Sequence, residues 1–369
     1  MTLKPLLLAA AMLLPAPVAM AAAPADTLKV IEVDVEGGAA TLYVTPQGHS
    51  LLIDTGWPAG MGGPNAEPGK SPAYVLNSAE RIAAVAKAAG VTKIDYLVIT
   101  HFHVDHVGGV ADLLKLIPVG TVIDHGPNRE NPPAGSPPAS LTYATSTLYP
   151  AYLKSIAGIT HRVVAPGDKI DIDDLHLIVT NAAGALIPVS LPGGGMPGVG
   201  CASAVPKNED GGDENFRSVG LAMTWGTTRI FAGGDSIWNL ETALVCPTNR
   251  IGPIDLYIAN HHGSGLSNSP AFLRSIAPRV VAVDNGPTKG GDASSFDSFR
   301  ASPRLQAIWQ LHKALNPQVR NEPDAHIINV PDSPDGAAMD IAVGKDGTIT
   351  VSNPRTGKSE TYRKGAKKK

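Results

Sequence analysis

Cysteine is scarce in this 369-residue chain: only Cys201 and Cys246 occur, and their spacing suits no cysteine-built zinc site. Aromatic residues make up 5% of the sequence, so a core must come mainly from Val, Ile, Leu and Ala. Charge is sparse too. The net charge of −3 gives the chain no general attraction for nucleic acid, and none is expected as a partner. Apolar runs are short after the N-terminus, and none there approaches the roughly 20 residues of a membrane span. No repeat of fixed period runs through the chain, which excludes a solenoid or a propeller.

Gly and Pro are plentiful, at 39 and 32 residues, the composition of a chain with many tight loops. At the N-terminus, Lys4 precedes an uncharged run over 6–20, and Ala19-Met20-Ala21 has the small-x-small form of a signal-peptidase site. Residues 1–21 therefore read as a signal peptide, with periplasmic or secreted localisation and no stable membrane span after cleavage. An oxidising compartment permits a Cys201–Cys246 disulfide, which the sequence leaves open. Residues 354–369 end in a lysine-rich stretch and read as a basic, disordered tail. Between them, 28–353 reads as one α/β domain.

Alternation and short apolar runs predict strands over 28–35, 40–44, 50–53, 94–100 and 121–124. Further strands are expected as a pair over 167–179 joined at Asp173-Asp174, and as a hairpin over 218–232 around Gly226. Two more follow over 254–259 and 279–283, the latter the last clear core strand, and an edge hairpin is expected over 341–351. Asn77 with Glu80 predicts a capped helix over 78–89, ended by Gly90. Helices are also expected over 107–116 and 143–156. Residues 183–213 form an unusually long loop.

Polar clusters follow four of these strands: Asp54-Thr55-Gly56, 101–106, Gly234-Asp235 and His261-His262. Strand ends are where α/β folds gather ligands and catalytic groups. The strongest signal is His101-Phe102-His103-Val104-Asp105-His106, because imidazole and carboxylate are the usual donors to zinc and similar ions. Alternation puts His101 and His103 on one side of the chain, and the turn after them lets Asp105 and His106 face a second ion.

This run resembles the HxHxDH signature of the metallo-β-lactamase superfamily, which implies a four-layer αββα fold and a site for two divalent ions. Asp54 in Leu-Ile-Asp-Thr-Gly resembles the first motif, where the carboxylate supports the ligands from behind. Asp235 in Phe-Ala-Gly-Gly-Asp resembles the fourth, where one carboxylate bridges both ions. His261-His262-Gly263-Ser264 resembles the fifth. His262 is the expected ligand and His261 the expected catalytic neighbour on the substrate side, with the reverse assignment open. Where the third motif places a histidine, this chain has Asn215. An amide oxygen is a weaker, harder donor than imidazole, so zinc is expected with manganese admitted. That replacement, with His-His-Gly-Ser, is similar to the branch holding the hydrolase domain of DNA-uptake proteins and phosphorylcholine esterases. Trp309-Gln310-Leu311-His312 resembles a segment of secreted members, and His312 is either a metal or substrate contact or a structural histidine.

Together with the signal peptide, the resemblance implies a secreted metallo-hydrolase, with Asp105 orienting the nucleophile and an ester of phosphate favoured as substrate. A small molecule or an envelope component would be the substrate. A divalent ion supplies hydroxide by lowering the pKa of bound water to about 7. The alternatives are a lactam or lactone hydrolase of the same fold, or an envelope protein that binds metal without catalysis.

Overall fold

The computed structural model describes residues 26–61, 76–137, 141–207, 213–333 and 336–365. The expected signal peptide over 1–21 lies outside them. The chain first supplies β1 (Thr27–Glu32), β2 (Thr41–Val44), β3 (Ser50–Ile53), β4 (Ile94–Val98), β5 (Val119–Asp124) and β6 (Thr160–Val163). It continues through β7 (Lys169–Ile172), β8 (Leu175–Ala182), β9 (Ala185–Leu186), β10 (Gly220–Trp225) and β11 (Thr228–Ala232). Next come β12 (Leu256–Ile258), β13 (Val280–Val283), β14 (Ala307–His312) and β15 (Ile327–Asn329). The chain ends with β16 (Met339–Gly344), β17 (Ile349–Asn353) and β18 (Lys358–Tyr362). The helices are α1 (Ser78–Ala88), α2 (Val104–Val107), α3 (Val110–Leu116), α4 (Thr145–Ser155), α5 (Asp213–Arg217), α6 (Trp238–Val245), α7 (Pro270–Ile276) and α8 (Ala293–Arg300).

Two sheets result. One runs β18-β17-β16-β1-β2-β3-β4-β5-β6, and the other β15-β14-β13-β12-β11-β10-β8-β7 with β9 on β8. The inward faces of both sheets share one core, which includes Leu28, Tyr43, Val98, Trp225 and Trp309. Outside the first sheet, Leu52 and Leu97 pack with Ile82, Leu113 and Tyr152 of α1, α3 and α4. Outside the second, Phe231 and Val281 pack with Leu244, Phe272 and Phe299 of α6, α7 and α8. The layers are therefore αββα. Each fully buried large apolar side chain stabilises this arrangement by about 1.5–3 kcal/mol.

Local signals act where they are strong. The Asn77 side chain accepts from Glu80 N while Glu80 caps Asn77 N, and α1 starts there. Ser269 caps α7 ahead of Pro270. Gly226 takes φ +57° in the β10–β11 turn. Three expectations need correction. The strand over 279–283 is not the last in the core, because β14 is buried along its whole length and pairs parallel with β13. Gln310 and His312 hid it from hydropathy. The hairpin over 341–351 is not at an edge: β16 pairs with β1, and β18 forms the edge beyond β17. The segment over 354–369 is therefore not a disordered tail throughout. Its residues 358–362 complete a sheet, and only 366–369 lie outside the described residues.

The long loop also has structure. Cys201 is bonded to Cys246 at the end of α6. Trp238 Nε1 donates to the carbonyl of Val205, and Val199 N donates to Ser275 Oγ, so the loop lies across α6 and α7.

The parallel strands β3–β5 and β11–β14 end at one rim, where the polar clusters collect. A buried network ties the sheets there. His312 Nε2 meets Asp34 Oδ1 at 2.7 Å, and Arg81 Nη1 meets Asp34 Oδ2 at 3.1 Å. Burial opposes charge on His312, but the Asp34 carboxylate outweighs it and raises the imidazole above its ordinary pKa. His312→Ala should lower unfolding free energy by about 3 kcal/mol, the lower end for breaking a buried pair because Arg81 still neutralises Asp34. A raised histidine pKa stabilises the fold fully below the unfolded value, and that stability is lost as pH rises through the folded one. The deficit in urea unfolding should thus be larger at about pH 6 than at about pH 9.

Candidate metal centre

Six side chains meet at the rim in two sets. Asp105, His106, Asp235 and His262 bring four donor atoms within 4.8 Å of one another, and His101, His103 and Asp235 bring three. His101 enters just beyond β4, and His103 caps the short α2 that carries Asp105 and His106. Asp235 follows β11, and His261-His262 follow β12.

Asp235 joins the sets through different oxygens. Its Oδ1 lies 3.2 Å from His106 Nε2 and 3.6 Å from His262 Nε2. Its Oδ2 lies 3.9 Å from His101 Nε2. Asp105 Oδ2 completes the larger set, 3.4 Å from His106 Nε2 and 3.2 Å from His262 Nε2. His101 Nε2 and His103 Nδ1 are 3.0 Å apart. Donors about 2.0–2.1 Å from a tetrahedral zinc stand about 3.3 Å from one another, so these spacings suit a shared cation.

The polar atoms themselves point the same way. His106 Nε2 and His262 Nε2 are buried without a hydrogen-bond partner, although carboxylate oxygens lie close. A buried imidazole nitrogen left so is costly, and a cation between the donors resolves it. Burial raises the pKa of Asp235, but the imidazoles of His106, His261 and His262 reverse this and hold it well below the usual carboxylate range. Asp105 behaves alike, with Lys289 and then His106 outweighing burial. Burial, with His106 and His103 beside it, keeps His101 well below the ordinary histidine value. Burial opposes charge on His106 and His262, but Asp235 and the other carboxylates around them outweigh it and raise both above the ordinary histidine value. A divalent ion entering between ionised carboxylates and these rings would therefore take the place of protons.

The far nitrogens of the rings are also held. Asp54 Oδ2 meets His106 Nδ1 at 2.8 Å, while Asp54 Oδ1 accepts Thr100 N at 2.8 Å. Asp284 Oδ2 meets His262 Nδ1 at 3.0 Å. Glu130 Oε2 meets His103 Nε2 at 3.0 Å, and its hydrogen bond overcomes burial to raise the His103 pKa. Such partners fix ring orientation and tautomer.

The His261-His262 turn is strained. Both residues have φ of 53°, in the left-handed region. Buried Glu241 of α6 holds the turn, accepting from Asn268 N, Ser269 N and Asn260 Nδ2. Burial nonetheless pushes its carboxyl up to about 7. Gly290 is needed alongside, because a Cβ there would lie 2.2 Å from the His262 carbonyl oxygen. The turn points its two imidazoles apart. His262 faces Asp105, whereas His261 Nε2 lies 3.4 Å from Asp235 Oδ2 with its side chain 14% exposed.

His312 and Asn215 are the remaining expected site residues. His312 is in neither of these two sets: β14 delivers it to the cross-sheet network, where it forms with Asp34 and Glu36 a third group of donor atoms within 4.8 Å of one another. Asn215 is buried in α5 beside Glu214, whose carboxylate accepts Phe102 N at 3.2 Å and meets His125 Nε2 at 3.0 Å. Sequence reading missed Glu130, Glu214, Asp284 and Lys289. Only Asp284 carried a signal, since it ends a buried strand as Asp54 does.

Residues 33–178 match the family model of the metallo-β-lactamase superfamily. No curated protein sequence matches the chain. Among solved structures, it is similar to the metallo-β-lactamase-fold protein YhfI of Bacillus subtilis, at 12% identity over 85% of this chain and 99% of that one, TM-score 0.41. It is also similar to a metallo hydrolase of Ignicoccus hospitalis, at 12% identity over 76% and 94%, TM-score 0.41. A third is CmlA, a diiron β-hydroxylase of Streptomyces venezuelae, at 16% identity over 69% and 44%, TM-score 0.39. The chain thus spans less than half the length of that hydroxylase.

If Asp284 and Glu130 each steady one ring, removing them should act on different ions. In protein titrated with zinc, Asp284→Ala should weaken binding at the four-donor set by about 10–100-fold, and Glu130→Ala binding at the three-donor set by a similar factor. Competition with a chromophoric chelator measures both, and a double variant weakened in only one ion would contradict the assignment.

Proposed function

We infer that this chain, which has the metallo-β-lactamase fold, is an exported metal-dependent hydrolase acting on phosphoesters. The observation that carries the reading is Asp235, whose two oxygens are divided between two sets of donors. His101, His103 and Asp235 would hold one divalent ion, and Asp105, His106, Asp235 and His262 the other. Bound there, a pair of divalent ions supplies Lewis acidity and makes hydroxide available near neutral pH.

The chain's own residues do the rest. Asp54, Asp284 and Glu130 orient the rings, and Asp105 orients the nucleophile. His261 is more exposed than His262 and lies beside Asp235 Oδ2, the oxygen turned toward His101. Burial lowers its pKa despite Asp235, so it meets substrate as a neutral imidazole. It donates a hydrogen bond to charge developing on the leaving oxygen. The similarity of the Asn215 and His-His-Gly-Ser motifs to the phosphorylcholine esterase branch favours phosphodiesters over lactams and lactones. Zinc is the first choice of metal and manganese the second. The signal-like segment over 1–21 and the Cys201–Cys246 disulfide together support an oxidising compartment, the periplasm or the exterior.

Loaded with zinc or manganese, the protein should hydrolyse bis-p-nitrophenyl phosphate and leave nitrocefin intact, and a chelator should abolish the activity. Turnover of nitrocefin or of a lactone instead would overturn the phosphoester reading. His261→Ala should keep both ions, measured by elemental analysis, and lower kcat by about 10²-fold or more. Protein recovered from the periplasm of an expressing bacterium should have lost residues 1–21 by intact mass, and a full-length mass there would refute export by cleavage.

A further inference from the structure

The candidate metal centre contains a cation of the chain's own. Lys289, in the Gly-rich loop between β13 and α8, donates its ammonium to Asp105 Oδ2. It also donates to the carbonyl of Gly37 at 2.8 Å, and its Nζ lies 5.1 Å from the centre of the Trp57 ring. The loop that delivers it is bonded to the site, since Gly291 N donates to the carbonyl of His262. Asp105 Oδ2 is the oxygen that faces both His106 Nε2 and His262 Nε2. The ammonium therefore sits on a donor atom of the larger set. Its side chain is 36% exposed against 9% for Asp105, so it lies between that carboxylate and solvent.

We propose that Lys289 is a charge lock on the four-donor set, competing with a divalent ion for Asp105 and so setting how tightly that ion binds. The inference rests on reading the six residues as a two-ion site. A divalent ion on Asp105 Oδ2 either displaces the ammonium toward solvent or binds against its repulsion. Both routes weaken the ion relative to a site with a neutral side chain at this position. Three contacts hold the ammonium: a carboxylate, a carbonyl and an aromatic face. Its displacement gives up all three. The three-donor set shares only Asp235 with the locked one, so its ion should feel Lys289 much less.

The test uses the full chain, stripped of metal and titrated with zinc, then separately with manganese, against a chromophoric chelator. Lys289→Met should bind one of its two ions at least about tenfold tighter than the unaltered protein and leave the other unchanged. Lys289→Arg, which keeps the charge, should resemble the unaltered protein. Lys289→Gln serves as a second neutral variant should the methionine variant misfold, with a thermal melt as the check on folding. Equal or weaker binding of both ions by the neutral variants would overturn the lock while leaving the two-ion centre in place. Failure of every protein, the neutral variants included, to take up two ions would overturn the two-ion reading and the lock with it.

Discussion

Two ionised carboxylates, Asp105 and Asp235, are held within a few ångströms of each other at a rim that is almost closed to water, and the surrounding structure answers their repulsion. Buried charges of one sign are tolerated only when opposite charge or strong donors surround them. Here the surroundings are imidazoles on several sides and one ammonium. Yet two imidazole nitrogens, His106 Nε2 and His262 Nε2, still lack hydrogen bonds. Protein groups alone do not complete this cluster. A pair of divalent cations would neutralise the carboxylates and satisfy the nitrogens together.

The fold delivers these groups by ending parallel strands of two sheets at the same place. Asp54 and His101 arrive from the first sheet, and Asp235, His262 and Asp284 from the second. Neither sheet holds a complete set of donors, so the site exists only when the sandwich is closed, and the cross-sheet pair of Asp34 and His312 lies at the same rim. Left-handed backbone at two successive histidines costs about 1–3 kcal/mol each. Glu241 offsets that cost with three hydrogen bonds, and does so while its own burial favours the neutral acid.

The sequence was most legible where a local pattern has one physical solution. The six-residue histidine run, the capped α1 and the hairpin at Gly226 all stand where pattern alone put them. Asp235 and His262, singled out by their motif resemblance, meet the histidine run from more than a hundred residues away in sequence. What stayed hidden depends on partners distant in sequence. β14 carries Gln310 and His312 inward because Asn321 and Asp34 receive them. β18 is polar and forms only because β17 offers it an edge. Glu130 sits in a Pro-rich loop with no periodicity, and its role follows from His103 Nε2 lying 3.0 Å away. Lys289 resembled any lysine in a glycine-rich turn until Asp105 was placed beneath it.

The two sets of donors are unequal, and the inequality runs in opposing directions. By donor count, the set of Asp105, His106, Asp235 and His262 should hold its ion more firmly than the set of His101, His103 and Asp235. The smaller set has Asn215 in the motif where the superfamily resemblance calls for a third histidine, which weakens it further. Lys289 acts chiefly on the larger set, through Asp105 Oδ2, and so draws the stronger site back toward the weaker one. A centre whose two ions act together, as proposed, gains nothing from one site filled far ahead of the other. On this view, an ammonium on the richer site and a lost histidine on the poorer one are complementary features of a single centre, in which both ions bind and leave over a similar range of metal concentration.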